Sequence, residues 1–307
     1  MSRVRLSAIL CTFNPRRDFL AAVLAALRVQ TLPAEDWELV VVDNNSSPPL
    51  ASEDLAGGPA RARLLREPRP GKTEALIRAS GETSGELIVI VDDDNVLAPD
   101  YLEQALAIQS RWPALGTWGG SIVPRFEAPP PAWLEGYLTY LSVRPVARDH
   151  WFNGSEPAFY GHMPYGAGLC ARRAVLEEYL RQIESRPLRR GLDRRGTSLA
   201  SCGDTDLVLC GMDLGLGTGV FQALRLEHLI PAARLTEDYM ARMLHAMNHS
   251  LVLLAGLRGH PPAGDSRLRR AWSLLRAAGR GRREWRFLRE AMRGADEARA
   301  ALRRHSG

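Results

Sequence analysis

The chain has 307 residues, 45% of them hydrophobic, and a net charge of +5, enough to bury a sizeable core in one large domain or one domain with an appendage. No apolar run approaches the roughly 20 residues of a spanning helix, and the four cysteines (Cys11, Cys170, Cys202 and Cys210) lack metal-ligand spacing, which argues against a membrane-spanning chain and a cysteine metal site. Such cysteines and an N-terminal apolar stretch too short for a signal peptide point to reduced thiols in the cytoplasm.

Leu6 to Leu10 reads as a buried strand that runs into Cys11-Thr12-Phe13-Asn14-Pro15. Phe19, Leu20, Val23, Leu24 and Leu27 then share one face of a helix. A second apolar, β-branched run, Trp37 to Val42, ends on Asp43-Asn44-Asn45-Ser46-Ser47. Lys72, in the Gly-Lys of GKTEAL, is the one Lys against 39 Arg. Its compact ammonium suits a diphosphate. A third strand, Leu87 to Val91, ends in Asp92, Asp93 and Asp94.

Strand, helix, strand, helix, strand predicts a mostly parallel, doubly wound α/β sheet with right-handed crossovers. Its strand ends share one crevice, where Thr12, Asn14, Asp43 and Asp92–Asp94 converge. Three like charges at the mouth of a buried strand are costly unless neutralised. A divalent cation with a bound phosphate ester does so, because Mg²⁺ and Mn²⁺ take oxygen ligands and keep one or two protein carboxylates. A solvated acidic turn is the plainer alternative.

Residues 129–165 separate two halves: Pro129-Pro130-Pro131, then Trp133, Tyr137, Tyr140, Trp151, Phe152 and Tyr160. Such rings stack on sugar or lipid faces, and they equally suit a packed loop. The Gly-Leu-Gly-Thr-Gly at 215–219 lacks dinucleotide-fingerprint spacing and reads as a turn into Val220 to Leu226. From Ser266 to Gly307 there are 13 Arg against four acids, a local +9 that leaves about −4 for the rest. Leu268, Trp272 and Leu275 line one helix face and Trp285, Leu288 and Met292 another, with Gly279 and Gly281 between. A basic amphipathic helix with Trp binds a membrane surface, or its apolar face docks on the catalytic domain or a second subunit. No nucleic-acid module accompanies the charge.

SAILCTFNP, ELVVVDNNSS, GKTEALIRASG and IVIVDDDNVLAPDYL together resemble the nucleotide-binding half of family 2 glycosyltransferases, which have the GT-A fold. PYGAGLCARRAV, CGDTDLVLCGMDLGLG and LRLEHLIPAARLT are similar to the family's acceptor-side strand, base-bearing segment and His-bearing strand. Seven pieces in order cover roughly residues 5–240. The resemblance implies an inverting, metal-dependent enzyme that moves a sugar from a nucleotide-sugar, most simply a UDP-sugar, to a glycan, lipid-linked or natural-product hydroxyl. Asp94 and His228 would hold Mg²⁺ or Mn²⁺. Thr12, Asn14, Asp43, Lys72, Asp92, Asp93 and Gly168 would hold the donor, and Trp133 and Trp151 the acceptor. Asp204 would be the base, with Asp206 as fallback.

The chain departs from the family at three places. Gly203-Asp204 stands for the usual Glu-Asp, Leu76-Ile77 for an Arg-Asn, and the polymerase signature Gln-x-x-Arg-Trp is missing, which favours transfer of single sugars. The expected division is 1–235 for the GT-A domain (nucleotide half 1–125, acceptor half 126–235) and 236–307 for a basic helical extension. The resemblance thus implies a transferase of polysaccharide or related biosynthesis, at the inner face of the cell membrane if the extension binds it, and a homodimer if the extension pairs. The rivals are a nucleotide-sugar-binding module without catalysis and a sugar nucleotidyltransferase. Cys11-Thr12-Phe13-Asn14-Pro15 replaces the Gly-rich phosphate loop that the last would carry.

Overall fold

The computed structural model describes residues 4–154 and 163–305; Tyr160 lies outside them. β1 (Leu6–Thr12), β2 (Trp37–Asp43), β3 (Ala62–Arg66) and β4 (Leu87–Asp92) are parallel and stand in the order β3-β2-β1-β4. The period of two decides the layers. Leu6, Ala8 and Leu10 of β1 face the layer of α1 (Arg17–Arg28) and α3 (Tyr101–Arg111), while Ile9 and Cys11 face the layer of α2 (Lys72–Ser80). With both faces covered, β1, β2 and β4 are apolar almost throughout. The edge strand β3 (Ala-Arg-Leu-Leu-Arg) is only half-buried and carries no long apolar run that sequence reading would detect.

The sheet continues through β5 (Asn95–Leu97), β6 (Leu115–Phe126), β8 (Cys170–Arg172) and β9 (Gly217–Ile230) in the order β4-β8-β6-β9-β5, with β7 (His150–Phe152) also paired to β9. β8 runs antiparallel to both β4 and β6, and β9 is parallel to β6 but antiparallel to β5 and β7. The parallel expectation therefore describes the first half, and the second half is mixed. α4 (Arg173–Ser185) and α5 (Gly203–Asp213) cover it. Gly215, at a φ of +78°, turns the chain into β9, which begins already at Gly217 rather than at the expected Val220.

Three helices end the chain: α6 (Glu237–Leu257), α7 (Arg267–Arg280) and α8 (Arg282–His305). No helix among the described residues is long and apolar enough to cross a membrane. Tyr239, Met240, Met243 and Leu244 of α6 join Leu134, Leu141, Ile230 and Phe287 in one apolar cluster, while Val252, Leu253 and Leu254 join α4 and α5 in another. α8 runs beside α6 in the same direction, with Arg286 bound to Asp238 at one end and Leu302 against Gly256 further along. The inward face of α8 is Phe287, Ala295 and Ala298. Trp285, Leu288 and Met292 stand outside that line, and Trp285 is exposed, so the expected apolar face of α8 is corrected by about a quarter turn. Only α7 keeps its expected stripe in solvent.

Close approach sets the α6–α8 spacing. A Cβ on Gly294 would lie 2.0 Å from the carbonyl oxygen of His245. Gly294→Val should therefore push α8 off α6 and cost on the order of 1–3 kcal/mol. A urea midpoint equal to that of the unsubstituted protein would contradict this packing.

Candidate active site

The parallel strands deliver their C-terminal ends to one cavity of about 300 Å³. Cys11 pairs with Asp92 in register, so Thr12 stands beside Asp93 and donates its hydroxyl to that carboxylate. α2 begins where Gly71 takes a φ of +139°, with its N–H held by Asn44 Oδ1 at 2.7 Å. That start aims Lys72 back at β4, where Nζ meets Asp92 Oδ1 at 2.6 Å. β5 pairs with β9 so that Asn95 faces His228, and Leu229 N–H donates to the Asp94 carbonyl at 2.8 Å. This register brings Asp94 Oδ2 to 3.3 Å from His228 Nε2 and 3.1 Å from Arg234 Nη1.

The adjacent acids consequently differ. Burial raises the Asp93 carboxyl, and the charge of Asp94 raises it further against the Thr12 hydrogen bond. Burial also opposes ionisation of Asp94, but His228 and Arg234 outweigh it and hold that carboxyl below its ordinary range. Burial depresses Lys72, yet Asp92 and Asp193 more than reverse it, and the ammonium is kept charged. Burial pushes the Cys11 thiol up to about 12, so it is no nucleophile at neutral pH.

The acceptor half supplies the rest of the wall. Asp204, at the start of α5, accepts from Gly166 N–H at 2.7 Å and Thr205 N–H at 2.8 Å, and burial raises its pKa against the pull of Lys72. Asp193 and Arg194 come from the loop before α5, and the Arg194 carbonyl accepts Lys72 N–H at 2.9 Å. Burial raises Asp193 as well. The cavity thus joins five acids, a Lys, two Arg and a His, a composition suited to a phosphorylated ligand and proton transfer.

The profile described as glycosyl transferase family 2 matches residues 7–166, more than half of the chain. The chain belongs to this family. Over 116 residues the family 2 member is 34% identical to the uncharacterized protein y4gI of Sinorhizobium fredii, covering 35% of this chain and 12% of that protein. Over 196 residues it is 29% identical to an N-acetylglucosaminyltransferase of Rhizobium meliloti, covering 59% of this chain and 42% of that protein. The chain spans less than half the length of these curated relatives. The crystal structure of S. aureus TarS 1–349 aligns over 97% of this chain and 92% of that one, at a TM-score of 0.48 and 12% identity.

Of the expected GT-A site residues, Thr12, Lys72, Asp92, Asp93, Asp94, Asp204 and His228 line the cavity. Asn14 and Asp43 do not. Asn14 Oδ1 accepts Ser47 N–H, and the two oxygens of Asp43 accept Ser46 and Leu50 N–H, so both shape the loop after β2. Gly168 lies below the lining, where its carbonyl accepts the Tyr101 hydroxyl at 2.7 Å and any Cβ would strike it. The two expected acceptor rings also stand apart from the lining. Trp133 packs edge-on against Phe287 of α8, and Trp151 stacks on Trp112 with centroids 4.3 Å apart; neither lines the cavity. Asp206 points into the core, where Arg189 and Arg258 hold it with no exposure, so it is not available as a base.

Sequence reading missed Asp193, Arg194 and Arg234. Asp193 carried a signal, as the one acid among the Arg residues of 186–195. Arg234 follows His228 by six residues, a relation that only the short 3₁₀ turn after Pro231 makes meaningful.

Asp94 and His228 fit a divalent cation. Nδ1 of His228 is 2.9 Å from the Leu141 carbonyl, an acceptor, so Nδ1 carries the ring proton and Nε2 faces Asp94. A carboxylate oxygen and an imidazole nitrogen converging this way are the kind of oxygen and nitrogen donors that a divalent cation accepts. Among the described residues no three His, Cys, Asp or Glu side chains could hold the ion alone, so water and phosphate would complete its shell. Arg234 Nη1 lies 3.1 Å from Asp94 Oδ2 and 3.2 Å from His228 Nε2, so it faces the same two atoms.

Asp204 and Asp206 should separate cleanly in stability. Asp206→Asn breaks a buried ion pair and should cost about 3–5 kcal/mol in chemical denaturation. Asp204→Asn removes a carboxylate that burial disfavours and should leave the midpoint nearly unchanged. Equal losses for both would contradict the assignment of Asp206 to the core.

Proposed function

We propose that this protein transfers a single sugar from a nucleotide-sugar to an acceptor hydroxyl with inversion, with Asp204 as the base. The observation that carries the reading is the meeting, in one cavity, of cations suited to a diphosphate (Lys72, Arg194, Arg234) with a half-buried carboxylate that has no salt-bridge partner among the described residues (Asp204). Every cavity residue falls between positions 11 and 234, which supports assigning the catalytic machinery to 1–235 and a supporting role to 236–307.

Breaking the sugar–phosphate bond builds negative charge on the departing diphosphate. Lys72 and Arg234 offset that charge at fixed positions, without reorganising at the moment of reaction. An ion held by Asp94 and His228 would supply further Lewis-acid stabilisation of the diphosphate. The acceptor oxygen forms a bond to the sugar carbon as its proton passes to Asp204. The Gly166 and Thr205 N–H groups orient that carboxylate. A raised pKa makes it a better proton acceptor.

The missing Glu before the base has a local substitute. A Cβ at Gly203 would lie 2.5 Å from Asp193 Oδ2, so the Asp193 carboxylate occupies the space that a side chain at 203 would enter. In this reading Asp193 fixes Lys72 and the acceptor approach from the loop instead of from α5. The relatives named N-acetylglucosaminyltransferase make UDP-N-acetylglucosamine the first donor to test.

The test is nucleotide release from a panel of nucleotide-sugars with Mn²⁺, with and without glycan, lipid-linked and natural-product hydroxyl acceptors. Slow release from one UDP-sugar is expected without acceptor. Asp204→Asn should bind that donor normally and transfer roughly 10²–10⁴ slower. Because the Asp204 pKa is raised, its base form is lost earlier on acidification. The kcat/KM should therefore fall at a pH above the ordinary Asp value of about 3.9. Full transfer by Asp204→Asn would sink the base assignment, and donor binding without turnover would favour a binding module.

A further inference from the structure

We propose that α7 is a membrane-docking helix, which lays its outer face on an anionic phospholipid surface. Leu268, Trp272 and Leu275 recur at i, i+4 and i+7, which aligns them on one face. They are 84%, 62% and 65% exposed, large values for such side chains. The opposite face is already occupied: Ala277 is buried, Leu274 is half-buried, and Arg270 binds Asp296 of α8 at 2.7 Å. α8 thus holds α7 in place with its apolar stripe outward.

Charge selects the occupant. α7 carries five Arg and no acid. Arg269, Arg276 and Arg280 run along one border of the stripe at i, i+7 and i+11, and Arg267 stands on the other. An apolar stripe with Trp between rows of Arg complements the boundary between acyl chains and anionic headgroups. Arg also suits that depth, because its stem stays among apolar atoms while the guanidinium reaches phosphate. A second copy of the chain fits poorly. A two-fold interface would lay α7 on itself and bring one row of Arg against another. The proposal does not depend on the donor or the base assigned above.

The test uses the full chain and co-sedimentation with vesicles of phosphatidylcholine alone or mixed with phosphatidylglycerol. The protein should bind the mixed vesicles, and high salt should weaken that binding. L268E/W272E/L275E changes only solvent-facing side chains and should weaken it on the order of ten-fold or more. Arg267, Arg276 and Arg280 changed together to Gln should reduce binding to the mixed vesicles and remove its salt dependence. Equal vesicle binding by the unsubstituted and triple-Glu proteins would overturn the proposal. So would a dimer in sedimentation velocity that the triple-Glu change abolishes, because a second copy would then cover the face.

Discussion

Asp92, Asp93 and Asp94 follow one another at the mouth of a buried strand, and three carboxylates so close resist ionising together. The site is built around relieving that repulsion. Each acid meets a partner from a different element: Lys72 from the start of α2, Thr12 from the end of β1, and His228 with Arg234 from the end of β9 and the turn beyond it. The partners divide the acids by charge as well as by place. Asp94 is held ionised, while burial and its neighbour's charge favour the protonated form of Asp93.

This arrangement explains why the second half of the sheet is mixed. A wholly parallel continuation would not carry β5 straight back along β9. The antiparallel β5–β9 register sets Asn95 opposite His228, and Asp94 is thereby brought to its imidazole. The loop of Asp193 and Arg194 closes the other side, tied by its backbone to Lys72. Neither half of the chain contains the cavity alone. The C-terminal helices stand behind this structure: α6 and α8 are packed into the same apolar clusters as α4, α5 and the segment around Leu134.

Much of this was legible in the sequence because it is local. An apolar run marks a strand and the polar residues after it mark its end, so β1, β2 and β4 with Thr12 and Asp92–Asp94 are legible locally, although Asp43 at the end of β2 serves its loop instead. What was not legible depends on contacts far along the chain. Trp133 and Trp151 have the composition of an acceptor site, but sequence alone does not show that they pack on Phe287 and Trp112, away from the cavity lining. Asp206 is indistinguishable from Asp204 by type and spacing. Only the burial of Arg189 and Arg258 beside it removes it from the chemistry. Arg234 became visible once the fold returned it to Asp94. The two tail helices look alike in sequence, and their different fates follow from α8 lying against α6 and leaving the outer face of α7 uncovered.

The central claim is that Asp94 and His228 form the protein's share of a cation site that exists to hold a nucleoside diphosphate. Calorimetric titration of UDP, with Mn²⁺ and then with chelator, tests it most directly on the unsubstituted protein and on Asp94→Ala. The account predicts that Mn²⁺ strengthens UDP binding to the unsubstituted protein, and that Asp94→Ala binds UDP weakly whether or not Mn²⁺ is present. UDP affinity that is the same in chelator and in Mn²⁺ for the unsubstituted protein would contradict it.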